Sequence, residues 1–154
     1  MSSTGEPEVP DTAAGDSAEQ RRAEEYLIAR LSEDLGASLK KKEVELPGGE
    51  WLEIDGVCET PMILCEAWAH QGPPKSAQKN KVLADSLKVL YVERLKSVPA
   101  RKILLFGDKI AARRFQGENW MARALESFGI EIHIVELPLE MRKAVAEAQK
   151  RQYR

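Results

Sequence analysis

The 154-residue sequence predicts an α/β fold built on a mixed sheet, and three observations carry that prediction. The stretch between residues 42 and 69 holds three strand-like runs joined by tight turn signals, which read as an antiparallel meander. The run Arg101-Lys-Ile-Leu-Leu-Phe-Gly107 is almost continuously apolar, as in a strand covered on both faces. Helical periodicity surrounds both regions, so the predicted order is α-β-β-β-α-β-α-β-α.

Residues 1–16 are Ser, Thr, Gly, Pro, Ala and acids with a lone Val9, a composition expected of a flexible tail. Residues 17–154 then form a single expected domain. Ser17 with Gln20 makes a capping box, opening a helix that runs to Leu35 and stops at Gly36. Residues 42–47 alternate as a strand, Pro47-Gly-Gly49 reverses the chain, and strands follow at about 50–57 and 61–69. Gly72-Pro-Pro74 opens a long helix over about 74–96, because proline is tolerated in a first turn. After the apolar strand, helical segments at about 108–115 and 118–128 break near Gly117 and end at Gly129. Residues 130–136 form the last strand, and Pro138 begins a final helix with the basic end Lys150-Arg-Gln-Tyr-Arg154.

Composition sets the outer limits of function. Hydrophobic residues make up 43% and charged residues 31% of a chain with net charge −2, so nucleic-acid binding would have to rest on a local basic surface. Cys58 and Cys65 read as reduced thiols rather than a disulfide scaffold. No apolar run has the length of a membrane span, and Met1-Ser-Ser-Thr-Gly-Glu-Pro-Glu8 lacks the basic and apolar parts of a signal peptide. A cytoplasmic protein is the expectation. The phosphate-loop, dinucleotide and serine-hydrolase patterns G-x-x-x-x-G-K-[ST], G-x-G-x-x-G and G-x-S-x-G are all missing.

Two carboxylates stand out. Strand parity puts Glu53, Asp55 and Val57 on one face of the second strand, and Leu64, Glu66, Trp68 and His70 on one face of the third. An acid within Ile63-Leu-Cys-Glu-Ala-Trp68 is costly to bury without a partner. Asp55 and Glu66, on neighbouring strands, therefore read either as Mg²⁺ (or Mn²⁺) ligands completed by water or as a hydrogen-bonded edge pair. Glu24 shares the helical face of Leu27, Ile28, Leu31 and Leu35, which makes it a third metal ligand or an acid at the rim of that stripe.

The long helix offers cations. Val82, Leu83, Leu87 and Leu90 define its expected buried arc, from which Lys79 projects toward the strand ends; any single lysine of Lys75, Lys79 and Lys81 reads first as solvated, and one of the three serving the site is the functional alternative. Gln78 is near in phase and suited to orienting a water, and Lys75 in the entry turn is placed to touch phosphate. The row Gln78, Lys81, Asp85 and Lys88 reads as a solvated surface with a Lys81–Asp85 pair. His70 is a candidate general base or ligand, while His133, among isoleucines, reads as structural. Trp68 and Trp51 each read as a stacking platform or as a core-edge residue.

Asp55, ten residues, and then Glu66-Ala-Trp68 within this element order resembles the PD-(D/E)xK nuclease superfamily over about residues 18–137. The resemblance implies a restriction-endonuclease-like core in which Asp55 and Glu66 bind a divalent metal, often joined by a first-helix glutamate such as Glu24. It implies a metal-dependent phosphodiesterase acting on nucleic acid, DNA more than RNA, that works alone, as a homodimer or beside a protein partner. The superfamily's lysine falls on Trp68, where this chain departs. Some members carry the lysine on the following helix, which suits Lys79 or Lys81. Others are inactive and keep the fold for binding nucleic acid or a protein partner.

Overall fold

A computed structural model of the chain describes residues 17–152, so the expected tail at 1–16 and the last two residues lie outside the described residues. Helix α1 (Ala18–Leu35) begins with the capping box: Gln20 N–H donates to Ser17 Oγ, and Ser17 N–H donates to Gln20 Oε1, each at 3.1 Å. Gly36 closes it in the left-handed region, at φ 66°. Strands β1 (Lys40–Glu45), β2 (Trp51–Glu59) and β3 (Met62–Trp68) form the meander, and α2 (Ser76–Lys96) crosses to β4 (Arg101–Phe106). The two helical segments expected on either side of Gly117 are α3 (Lys109–Arg113) and α4 (Trp120–Ser127), β5 (Ile130–Ile134) follows, and α5 (Leu139–Gln152) ends the described chain.

The first strand lies two residues earlier than expected. Leu46 N–H donates to the Glu50 carbonyl and Gly49 N–H to the Leu46 carbonyl, which draws Leu46 and Pro47 into the turn. The five-stranded mixed sheet runs β1-β2-β3-β4-β5, antiparallel through β3 and parallel from β3 onward. Among the described residues no helix is long and apolar enough to cross a membrane.

Period-two alternation in β3 and β4 feeds two cores. Leu64, Leu104 and Phe106 pack with Val82, Val89 and Val92 of α2 and with α3 and α4. Ile63, Cys65, Ala67, Ile103 and Leu105 pack on the other face with Ala23, Leu27 and Leu31 of α1 and Val145 of α5. Helices thus cover both faces, the arrangement that a parallel strand pair requires. Cys58 and Cys65 are both free thiols, and each stands opposite a different residue of the hairpin (Ile63 and Gly56).

Helix α2 is rotated from its expected phase. Its buried residues are Gln78, Val82, Ser86, Val89 and Val92, whereas Leu87 is 68% exposed. A valine stripe meets the sheet, with Leu83 and Leu90 at its edges. Ser86 is tolerated inside because its hydroxyl donates to the Val82 carbonyl at 2.9 Å. The rotation decides which lysines face the site.

Candidate functional site

The site begins where β2 and β3 part. Their ladder pairs Glu59 with Met62 and continues to Gly56 with Cys65, where it ends. β3 stays paired with β4 through Trp68 and Phe106, so it is β2 that leaves. Beyond the last pair, the carboxylates replace the ladder: Asp55 N–H donates to Glu66 Oε1 and Ala67 N–H donates to Asp55 Oδ2, both at 2.9 Å. Two backbone donors that would otherwise be orphaned are thereby satisfied.

A β-bulge sets the position of Asp55. Lys40 stands opposite Val57 and Lys42 opposite Ile54, so Asp55 and Gly56 together oppose Lys41 alone. The extra residue shifts the parity of β2. Ile54 and Val57, three apart, enter the same core, and the expectation that Asp55 and Val57 share a face is corrected. Gly56 also lets α1 rest on β2, since a Cβ there would lie 2.9 Å from Ile28 Cδ1. That close approach brings the first turns of α1 beside Asp55.

A cavity of about 420 Å³ fills the gap between the strands. Because the gap opens to both faces of the sheet, residues from both layers reach it. Asp55 and Glu66 lie at its centre, Glu24 contributes from α1 on one face, and Gln78, Asp85 and Lys88 contribute from α2 on the other. Trp68 and His70 close the β3 end, with ring centroids 5.9 Å apart. A second cavity of about 260 Å³ runs on between α1 and β1 and shares Arg21, Glu24, Lys41 and Asp55 with the first.

The candidate residues therefore divide. Asp55, Glu66, Glu24, Gln78 and His70 line one cavity, whereas Lys79 and Lys75 do not. Lys75 instead starts α2, its N–H donating to Gln78 Oε1 at 2.7 Å. Trp51, 59% exposed, and His133, hydrogen-bonded to Glu131, also lie outside it. The lysine at the carboxylates is Lys88. Its ammonium contacts Glu66 Oε2, donates to the Glu53 carbonyl at 2.9 Å and lies 3.8 Å from Asp85 Oδ1.

The row Gln78, Lys81, Asp85 and Lys88 thus lines the cavity, and only Lys81 keeps the solvated position its spacing suggested. Lys88 and Asp85 were legible as members of that row, but the leucine arc pointed the helix the wrong way. Lys81 stands at the mouth, Nζ 5.9 Å from the centre of the Trp68 ring.

Electrostatics follow from burial. Glu66 is 2% exposed, and burial, then Asp55, then Asp85 push its carboxyl up to about 9, more than Lys88 offsets. Burial likewise raises Asp85 to about 6. Burial alone would lower Lys88, but Glu66, Asp85 and Asp55 hold its ammonium above its ordinary value. Burial lowers His70 and so favours its neutral imidazole. Burial, with the nearby acids, pushes the Cys65 thiol well up. The cavity's carboxyls retain protons first because they are buried and then because they crowd one another, and a further cation would offset both.

Asp55 and Glu66 offer oxygen donors from adjacent strands, and Mg²⁺ is commonly held by one or two carboxylates with the rest of its shell water. Among the described residues no three His, Cys, Asp or Glu side chains stand close enough to hold an ion together. Glu24, coming from the opposite layer, does not complete such a set. The residues fit a water-rich Mg²⁺ or Mn²⁺ and do not fit a closed zinc site. Against known proteins, no family model, no curated protein and no solved structure matches this chain.

Proposed function

We propose that the cavity is the active site of a divalent-metal-dependent phosphodiesterase acting on nucleic acid. The observation that carries this reading is Lys88, which delivers from α2 an ammonium in contact with Glu66, beside Asp55. That placement supplies the positive charge that Trp68 denies to β3. Asp55 and Glu66 are the metal ligands in this reading. A bound Mg²⁺ or Mn²⁺ would supply Lewis acidity toward a phosphate oxygen and acidify a water.

The chain's own groups do the rest. Lys88 is fixed by Glu66, Asp85 and the Glu53 carbonyl, so its charge meets a phosphate without reorganising. The neutral imidazole of His70 is a proton acceptor at the cavity wall. Gln78, buried at the start of α2, orients polar groups from that side. Lys41 and Lys81 are exposed at the rim and draw in a polyanion.

A cleavage assay on single- and double-stranded DNA and RNA, with Mg²⁺ or Mn²⁺, tests the reading. Cutting is expected, and Asp55→Ala and Glu66→Ala should abolish it. No cutting of any of these substrates with either metal would sink the proposal. One observation favours a second reading, a binding module without chemistry: Glu66 and Lys88 already satisfy each other without an ion. That reading expects nucleic-acid or protein binding indifferent to metal and to Asp55→Asn.

A further inference from the structure

The cavity's shape and lining narrow its substrate, and we infer that it takes a single nucleic-acid strand, one nucleotide seated against Trp68, rather than an intact duplex. The inference rests on the phosphodiesterase reading of the same site. Three observations lead to it.

The first is depth. Glu66 lies 2% exposed at the floor of the gap between β2 and β3, and Asp55 is half-buried beside it. A scissile phosphate reaches them only if its strand enters the gap. A volume of about 420 Å³ is in the range that holds one small organic ligand, one nucleotide rather than a stack of base pairs.

The second is the wall around Trp68. The indole is partly open to the cavity, backed by His70, with the Lys81 ammonium 5.9 Å from its centre. An aromatic face beside a cation is the pairing that sequence-tolerant single-strand sites use, the ring stacking a base and the cation meeting its phosphate. Trp68 Nε1 and Gln152 Nε2 are buried with no hydrogen-bond partner among the described residues, and both residues line this cavity.

The third is continuity. The second cavity meets the first at Arg21, Glu24, Lys41 and Asp55, so the cleft does not end at the carboxylates. A strand held at Trp68 passes Asp55 and leaves over Lys41, the residue facing the β2 bulge. A polymer needs such an exit, and a mononucleotide does not.

Fluorescence anisotropy on the full chain tests this, using a labelled 12-mer oligothymidylate and a hairpin duplex with a 12-base-pair stem. Both are measured with Ca²⁺ in place of Mg²⁺, and cleavage is then scored with Mg²⁺ and Mn²⁺. The single strand should bind about tenfold or more tighter than the duplex. Trp68→Ala should lose about tenfold, and Trp68→Phe should keep most of the affinity. In a Trp51→Phe/Trp120→Phe background the remaining indole, Trp68, should be quenched by the single strand and restored when the strand is competed away. Equal binding and cutting of the two forms overturns the single-strand inference and leaves the phosphodiesterase reading standing. Trp68-dependent single-strand binding with no cleavage by either metal overturns the phosphodiesterase reading, and neither binding nor cleavage overturns both.

Discussion

Two clusters of acids and cations behave in opposite ways. One lies at the start of β4. Lys102, 8% exposed, donates to Glu93 Oε2 at 2.9 Å, and Glu93 Oε2 also accepts from Ala100 N–H at 2.9 Å. Beside it Arg101 grips Glu131 through two hydrogen bonds of 3.0 and 2.7 Å. Each acid there has its own cation. The Ala100 N–H, then Lys102, hold Glu93 below its usual range, and Arg101, joined by His133, overcomes burial to bring Glu131 to about 2. The other cluster is the cavity, where Asp55, Glu66 and Asp85 share Lys88 and burial pushes Glu66 and Asp85 up.

The difference separates two uses of charge. At β4 one pair clasps the end of α2 to the strand it crosses to and the other ties β4 to β5, and ionisation favours the fold. In the cavity ionisation opposes the fold, and a positively charged or metal-bound occupant would relieve that cost. Perturbed acids of the second kind, in a cleft, make a candidate functional site.

The largest effect expected of this contrast is on activity. Lys88→Ala should lower the cleavage rate by about 10²–10³-fold, as removal of a preorganised charge stabiliser does, whereas Lys79→Ala and Lys102→Met should change it less than about twofold. Single-turnover rates for the three variants decide the point. A Lys79 effect as large as that of Lys88 would show that α2 turns a different face to the substrate.

The next effect is on stability and runs against intuition. Glu66 is raised to about 9 from an ordinary 4.5, so its contribution to the fold is fully present below about pH 4.5 and is lost as pH rises toward 9. Glu66→Gln, which cannot ionise, should therefore be more stable than the natural chain by roughly 2 kcal/mol at pH 8 and about equal to it at pH 4. Urea unfolding with chelator present measures both. A variant less stable at pH 8 would mean that Glu66 is ionised and that its pairing with Lys88 outweighs its burial. Lys102→Met should do the reverse, costing about 1–2 kcal/mol at neutral pH by leaving Glu93 without its cation.

The strands and most helices were legible because their signals are local. The Ser17–Gln20 capping box, Gly36 and the apolar run at 101–107 act within a few residues of themselves, and each gave an element close to where it lies. Asp55 and Glu66 were legible because only a paired or liganded acid belongs in such a strand. What parity could not carry was the bulge, since Asp55–Gly56 opposing Lys41 is a property of two strands together. What helical phase could not carry was the rotation of α2. Leu83, Leu87 and Leu90 carry more apolar area than three valines, yet Val82, Val89 and Val92 face the sheet and Leu87 stays outside. The choice of Lys88 over Lys79 rests on that rotation alone.

The smallest effect is the one that closes the comparison. Glu131, with its folded value near 2, contributes stability that is present above about pH 4.5 and is lost as pH falls through 2. Its side chain and that of Arg101 are 37% and 44% exposed, so water and salt screen the pair, and its contribution at pH 7 should be under about 1 kcal/mol. Glu131→Gln should thus be slightly less stable than the natural chain at pH 7, indistinguishable at pH 2.5, and nearly indistinguishable at pH 7 in 1 M salt. Its sign is opposite to that of Glu66→Gln at every pH between 5 and 8. If the two substitutions move the urea midpoint in the same direction across that interval, the cavity acids are an ordinary ion-pair network and the contrast with β4 falls.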